Sequence, residues 1–261
     1  MDQTIAAAVQ ATPVFLDRDA TVEKVARLTK EAASNGARII VFPETFVPTY
    51  PDWVWKAPAW GPAFEALTAR LREEAVEVPG PTTDALAKAA KAAKAYLSIG
   101  VNEVAGGTIY NTQLSFDPGG HLELARYAMY AKGVDIWTAP TWDSGDNWVA
   151  TLRHIAREGR VYVIGVTMLL RGSDIPQDVP GRDLWGGEDD WVNDGYSAIV
   201  DPDGALLAGP LVGEEGILYA EVDADHARAE RYKFDPVGHY ARPDVFRLVV
   251  NEEPKPSVGT G

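Results

Sequence analysis

The feature that most constrains the fold is a regular alternation between short apolar runs and longer segments with helical spacing. The apolar runs have the length of buried strands: residues 5–10, 37–42 and 96–101. The segments between them carry apolar residues three or four positions apart, as amphipathic helices do: residues 17–35, 62–76 and 81–95. Strands that alternate with helices predict an α/β fold in which helices cover buried sheets.

One local pattern occurs twice, and its two copies end differently. Residues 110–120 and 196–204 each contain a strand-like run that leads into a turn with Asp-Pro at its start and glycine near its end. Such turns usually return the chain as an antiparallel strand, and residues 205–207 follow the second turn as expected. After the first turn, residues 124–131 keep helical spacing up to a stop at Gly133. The sequence therefore predicts that the first turn lacks its return strand.

The alternation resumes beyond Gly133 and no linker interrupts it. Strands are predicted at residues 134–138, 160–166 and 216–222, with a helix at 147–158 and a polar loop at 171–193. We therefore predict one domain over residues 1–261, with residues 252–261 as a disordered tail.

Composition limits the partners and the compartment. The formal net charge is −14, which disfavours binding to nucleic acid or to an anionic membrane. No apolar run approaches the roughly 18 residues that a membrane-spanning helix needs. The first residues lack the pattern of a signal peptide. We expect a cytoplasmic protein.

The candidate site is indicated by two strand ends. The stretch 41–53, with the sequence VFPETFVPTYPDW, places Glu44 directly after a buried strand, and the stretch 139–143, APTWD, ends another. Open α/β sheets present chemistry at the carboxyl ends of their strands, which makes Glu44 a candidate for a base-like site. Such a base needs a nucleophile within hydrogen-bond reach. The chain contains no cysteine, and it has no Gly-x-Ser-x-Gly elbow.

Other chemistries have little support in the sequence. There is no phosphate-binding loop, and the four histidines lack the spacing of metal ligands, so we expect neither a cofactor nor a metal. His154 lies on a predicted helix face and is expected to be structural. Lys132, beside Gly133, is expected to complement a helix dipole rather than to act in catalysis.

Taken in order, several stretches resemble the nitrilase branch of the carbon–nitrogen hydrolase superfamily: residues 41–53, 110–120, 124–146, 148–160, 195–210 and 238–243. The resemblance implies a four-layer α-β-β-α sandwich whose members commonly pair through a surface helix, hence a homo-oligomer. It also implies hydrolysis of a small nitrile or amide, without a cofactor. In such relatives a cysteine thiolate attacks the substrate, a glutamate is the general base and a lysine stabilises the developing charge. Nitriles then yield a carboxylic acid and ammonia through a thioimidate and an acyl-enzyme.

Only part of this machinery carries over to the present chain. Glu44 matches the general base, and the resemblance predicts that Tyr50 and Trp142 line the substrate pocket. The family's lysine follows the first Asp-Pro-Gly turn by a few residues, and its cysteine directly precedes the helix that here begins at Leu124. Neither residue is present between Gly120 and Leu124. We therefore expect a weakened sandwich that lacks a few strands after residue 120.

Three interpretations remain open from the sequence. The chain is a nitrilase-type protein that is inactive or severely impaired as written. Alternatively, it is a non-catalytic partner subunit, or a deleted gene product, that keeps the oligomer surface. Finally, the written sequence omits residues that the protein contains, which an intact mass different from 28.3 kDa would reveal. The preferred nitrile is not indicated.

Overall fold

The computed structural model describes residues 3–59, 61–119, 122–123 and 133–234. Within these ranges the chain forms eleven strands and six α-helices. The strands are β1 (Thr4–Gln10), β2 (Ala37–Val41), β3 (Tyr96–Ala105), β4 (Thr108–Phe116), β5 (Leu122–Glu123), β6 (Ile136–Thr141), β7 (Tyr162–Thr167), β8 (Leu169–Arg171), β9 (Trp191–Val200), β10 (Leu206–Val212) and β11 (Gly216–Val222). The helices are α1 (Arg18–Ser34), α2 (Trp53–Lys56), α3 (Pro62–Glu74), α4 (Pro81–Ala93), α5 (Gly145–Gly159) and α6 (Ala224–Glu230). Two 3₁₀ turns lie at Gly172–Asp174 and Arg182–Trp185.

The strands belong to two sheets. The first has the order β11-β1-β2-β3-β4-β5, in which β1, β2 and β3 are parallel and the other neighbours are antiparallel. The second has the order β10-β9-β7-β6, in which β6 and β7 are parallel, and β8 pairs with another part of β9. The parallel arrangement brings the carboxyl ends of β2 and β3 to one edge, and those of β6 and β7 to another.

Side-chain alternation along β1 explains how both faces of the first sheet are covered. Ala7 belongs to a buried cluster with Val25 of α1, whereas Ala8 belongs to a cluster with Ile164 of β7. All four side chains are fully buried. Since neighbouring residues of a strand point to opposite faces, one face of this sheet packs on helices and the other on the second sheet.

The second sheet is covered on its outer face by α5. Leu152 and Ala156 of this helix form a buried cluster with Val163 of β7 and Val200 of β9. The layers are therefore helix, sheet, sheet and helix, as the resemblance implied. The predicted four-layer α-β-β-α sandwich is confirmed.

Local chemistry sets the boundaries of the first helix. The carboxylate of Asp17 accepts a hydrogen bond of 2.9 Å from the backbone N–H of Ala20, which caps the start of α1. The helix stops before Gly36, whose φ of 89° is a left-handed conformation that favours glycine. Both boundaries lie close to those expected from the sequence.

The two Asp-Pro turns differ less than the sequence suggested. After the second turn, β10 returns alongside β9. After the first turn, β5 also returns, since Leu122 pairs with Phe116 and Glu123 with Ser115. The prediction that this return strand is missing was wrong, because even two residues can continue the antiparallel pairing with β4. The predicted helix from residue 124, Lys132 and the tail at 252–261 lie outside the described residues.

Two further boundaries differ from expectation. The strand predicted at residues 134–138 runs over β6, Ile136–Thr141. The loop predicted at 171–193 contains the two 3₁₀ turns, the end of β8 and the start of β9.

In the parts of the chain that the structure describes, every helix is too short or too polar to cross a bilayer.

Candidate active site

Glu44 lies just beyond the end of β2, and both of its carboxylate oxygens accept hydrogen bonds. The side-chain amide of Asn111, on β4, donates to Oε1 at 2.5 Å. The backbone N–H of Trp142, which follows β6, donates to Oε2 at 2.8 Å. The carboxylate is half-buried and is held between elements of both sheets. This arrangement fixes the direction in which Glu44 points.

The turn that carries Glu44 continues the pairing between β2 and β3. The backbone N–H of Phe42 donates to the carbonyl of Ser98 at 2.8 Å, and that of Gly100 donates to the carbonyl of Pro43 at 3.0 Å. At Thr45 the backbone takes a left-handed conformation with φ of 42°. A β-branched residue seldom adopts that conformation, and such outliers persist where the surrounding structure holds them.

Gly100 allows this close approach. A Cβ atom at its position would lie 2.2 Å from the backbone nitrogen of Thr45 and 2.6 Å from the Cα of Glu44. Both contacts are far shorter than van der Waals distance and both involve backbone atoms. The location of the candidate base therefore depends on a residue without a side chain on the neighbouring strand.

Tyr50 and Trp142 lie together beside Glu44. Their rings are stacked, with centroids 4.5 Å apart and an interplanar angle of 9°. The carbonyl of Trp142 accepts a hydrogen bond of 2.6 Å from the side-chain amide of Asn193, a buried residue of β9. The structure thus brings Glu44, Tyr50 and Trp142 into one cluster, although whether the two rings bind substrate stays a prediction.

Glu44 also affects the ionisation of Tyr50. Burial raises the pKa of Tyr50 above the ordinary tyrosine value, and the Glu44 carboxylate raises this pKa further, because a nearby negative charge disfavours the tyrosinate. A hydrogen bond from the Trp55 side chain acts in the opposite direction but does not cancel these effects.

We expect Glu44→Gln to lower the pKa of Tyr50. Removing the neighbouring negative charge makes ionisation of the phenol easier, so tyrosinate should form at a lower pH than in the parent chain. The measurement is a pH titration of tyrosinate absorbance, with the Tyr50→Phe variant subtracted to isolate this residue. An identical Tyr50 midpoint in the parent and in Glu44→Gln would contradict the electrostatic contact.

Sequence reasoning missed two asparagines that organise the site. Asn111 was noted only as part of a strand, and Asn193 was placed in a loop. Both are amide side chains in β-rich sequence. Asn193 is buried, where a polar group needs a specific partner, whereas Asn111 is exposed. Nothing in the linear sequence indicated that these partners would be Glu44 and Trp142.

A buried carboxylate fixes the loop near the cluster. Asp52, at 1% exposure, accepts from the indole N–H of Trp185 at 2.9 Å and pairs with the ammonium of Lys56 at 2.9 Å. Trp185 belongs to the second 3₁₀ turn, and Phe15 contacts it edge-to-face at 5.6 Å. The polar loop between β8 and β9 is therefore attached to the segment that presents Tyr50.

Among the described residues, the remaining candidate, His154, adds no chemistry to this cluster. The His154 side chain is 75% exposed and lies 3.9 Å from Glu158 on the same helix. Across the described residues, no group of three or more His, Asp and Glu side chains is arranged to hold a metal.

Comparison with known families decides the relationship. A sequence model of the carbon–nitrogen hydrolase family matches this chain in two segments, residues 5–128 and 123–232. The chain belongs to the carbon–nitrogen hydrolase family. Its relatives include an aliphatic nitrilase of Sinorhizobium fredii, which is 39% identical over an alignment that covers 98% of each chain. A bifunctional nitrilase/nitrile hydratase of Nicotiana tabacum is 36% identical over 95% of this chain and 86% of the relative. The expected nitrilase branch is thereby confirmed.

This chain is shorter than the relatives it matches. The alignment with the Sinorhizobium nitrilase extends over 302 positions, whereas this chain has 261 residues. At least 41 aligned positions therefore have no counterpart here. The two segments matched by the family model meet and overlap at residues 123–128, directly after the first Asp-Pro turn.

Solved structures of the superfamily share the fold. A CN-hydrolase superfamily protein from Xanthomonas campestris has a TM-score of 0.69 at 15% identity, with coverage of 96% of this chain and 100% of that chain. A nitrilase superfamily member from Saccharomyces cerevisiae has a TM-score of 0.66 at 18% identity, with coverage of 91% and 96%. At these identities the likeness concerns the fold alone.

Proposed function

We propose that this chain is a nitrilase-type protein that keeps the general-base position of its family and lacks nitrile-hydrolysing activity. The observation that carries the proposal is an oriented carboxylate, Glu44, in a chain with no cysteine. Relatives named as nitrilases suggest that a small nitrile is the ancestral substrate. In nitrilases, as the family resemblance implies, a cysteine thiolate attacks the nitrile carbon. This chain has no cysteine to supply that thiolate.

Within residues 3–59, 61–119, 122–123 and 133–234, the groups around Glu44 do not replace that sulfur. Its hydrogen-bond donors are the amide of Asn111 and the backbone N–H of Trp142, neither of which is a nucleophile. The hydroxyl of the adjacent Thr45 is buried without a hydrogen-bond partner, so no base activates it. The raised pKa of Tyr50 keeps its phenol protonated and unreactive near neutral pH. We infer that Glu44 has no group to deprotonate in the part of the chain that the structure describes.

The direct test is release of ammonia from an aliphatic and an aromatic nitrile by purified protein. Intact-mass measurement against 28.3 kDa comes first, because it excludes residues missing from the written sequence. We expect ammonia at the rate of the buffer blank, while an intact nitrilase measured in parallel gives ordinary turnover. Turnover above the blank that persists through further purification would refute the proposal.

A non-catalytic partner role remains the second interpretation. The homo-oligomer and the cytoplasmic location that the resemblance and composition suggested both stay predictions. Size-exclusion chromatography of the purified chain, alone and mixed with an intact relative, checks the assembly: co-elution supports the partner role, and separate elution argues against it.

A further inference from the structure

A cavity of about 550 Å³ lies between the loop that follows β1, strand β8, the start of β9 and the turn from β10 to β11. Its wall contains none of Glu44, Tyr50, Asn111 and Trp142. The cavity is therefore separate from the candidate active site. Its volume is in the range of small-molecule sites.

The turn from β10 to β11 is anchored to β1 and α1. The carbonyl of Glu214 accepts a hydrogen bond of 2.9 Å from the side-chain amide of Gln10. The carboxylate of Glu215 accepts from the backbone N–H of Thr12 at 2.6 Å and pairs with the ammonium of Lys24 at 2.6 Å. The side chain of Glu214 therefore extends from a backbone that is held in place.

The wall has five charged residues, and the head groups of two of them are unpaired. The two cations are Lys24 and Arg171, and the three anions are Asp174, Glu214 and Glu215. Lys24 pairs with Glu215, and the carboxylate of Asp174 accepts from the backbone N–H of Arg171 at 2.7 Å. Among the described residues, neither the guanidinium of Arg171 nor the carboxylate of Glu214 has an ion-pair or hydrogen-bond partner. One cation and one anion of the wall are thus left for a ligand.

Trp191 fixes the direction of the unpaired cation. The guanidinium of Arg171 lies over the Trp191 ring, 4.0 Å from its centroid. Its Nε is shielded from solvent, whereas its two terminal nitrogens are accessible. The same ring lies beside the turn that carries Glu214, since a Cβ atom on Gly213 would be 3.7 Å from Cζ2 of Trp191. The unpaired charges are too far apart to pair with each other, and they belong to one cavity.

We propose that this cavity binds a zwitterionic amino acid with an apolar side chain. The ligand carboxylate accepts hydrogen bonds from the terminal nitrogens of Arg171, because a planar guanidinium matches a carboxylate in bidentate geometry. The ligand ammonium donates to Glu214. Apolar wall residues, among them Val14, Phe15 and Leu169, contact the side chain. Two cations and three anions give the wall a charge of −1, which disfavours a carboxylate that lacks an ammonium.

The test uses L-leucine and two analogues that each lack one charge. 4-Methylpentanoate is leucine without the ammonium, and 3-methylbutylamine is leucine without the carboxylate. Isothermal titration calorimetry on the full chain at neutral pH should give saturable binding of leucine. Each analogue should bind about tenfold more weakly, the value of one charge-assisted hydrogen bond. 4-Methylpentanoate should be the weakest of the three because the wall is negative overall.

Two variants assign each ligand charge to its partner. Arg171→Gln should weaken leucine binding about tenfold without weakening that of 3-methylbutylamine, which has no carboxylate. Glu214→Gln should weaken leucine and 3-methylbutylamine about tenfold without weakening 4-methylpentanoate. Arg70→Gln and Glu73→Gln are the matched controls, since they remove exposed charges outside this wall, and they should leave leucine binding unchanged. Thermal melts confirm that the variants are folded, and the analogue series on the parent chain remains a test if one of them is not.

Three outcomes would overturn the proposal. One is the absence of saturable leucine binding. Another is an analogue that binds as tightly as leucine, which would show that one of the two charges is not recognised. The third is a loss of leucine binding in the control variants equal to that in Arg171→Gln and Glu214→Gln, which would place the ligand elsewhere. None of these results measures ammonia release, so the proposed lack of turnover is tested separately.

Discussion

If the chain lacks the segment that the family resemblance places between Gly120 and Leu124, as we propose, insertion of that segment should convert it into a working nitrilase. The donor is the stretch of the Sinorhizobium fredii nitrilase that the family resemblance places after the first Asp-Pro-Gly turn. By resemblance, that stretch supplies the cysteine and the lysine. Loss of a catalytic nucleophile costs about a million-fold in turnover, roughly 8 kcal/mol of barrier, and restoring it should recover a large part of that factor.

The chimera also tests the role of Glu44. If Glu44 is the base, the chimera with Glu44→Gln should fold and yet lose nearly all of the recovered activity. A chimera whose inserted cysteine is replaced by alanine gives the background rate. The measurement is ammonia release under saturating nitrile for all three proteins. A Glu44→Gln chimera as active as its parent would show that Glu44 is not the base.

A chimera that folds but releases no ammonia would also be informative about the site around Glu44. A cooperative melt together with no ammonia release would show that the surroundings of Glu44 no longer complete a working site. In that case the cluster of Glu44, Asn111 and Trp142 would be a structural remnant. The gap would then be only one of several losses in this chain.

The sequence predicted those parts of the fold and site that depend on local pattern. The layered α/β architecture followed from the alternation of strands and helices. Glu44 and Trp142 both follow strand ends, where this class of sheet places its chemistry, and the family resemblance supplied the roles expected of them. These patterns involve only a few consecutive residues, so they can be recognised from the sequence alone.

The sequence could not predict features that arise when distant segments meet. Asn111 donates to a residue 67 positions earlier, and Asn193 donates to one 51 positions earlier. The return strand β5 has two residues, too short for a periodic signal. The same limitation applies to Gly100, which lies inside a strand and gives no sign of how closely another backbone approaches it.

Replacement of Gly100 by alanine should destabilise the protein strongly. The new Cβ would lie 2.2 Å from the Thr45 nitrogen, and backbone atoms cannot give way as a flexible side chain does. We expect a loss of about 3 kcal/mol or more in the free energy of unfolding, at or above the upper end for overpacked cores. Urea unfolding followed by circular dichroism measures this loss.

Gly107→Ala is the matched control for this experiment. Gly107 lies just before β4, and a Cβ atom there would meet nothing within 4 Å, so its unfolding free energy should change by no more than about 0.5 kcal/mol. The difference between the two variants isolates steric overlap from the general effect of replacing glycine. Equal stability of Gly100→Ala and Gly107→Ala would mean that the turn at Glu44 can move away from β3 at little cost. The carboxylate would then be less firmly oriented than its two hydrogen bonds indicate, and the argument for a preserved base position would lose its structural support.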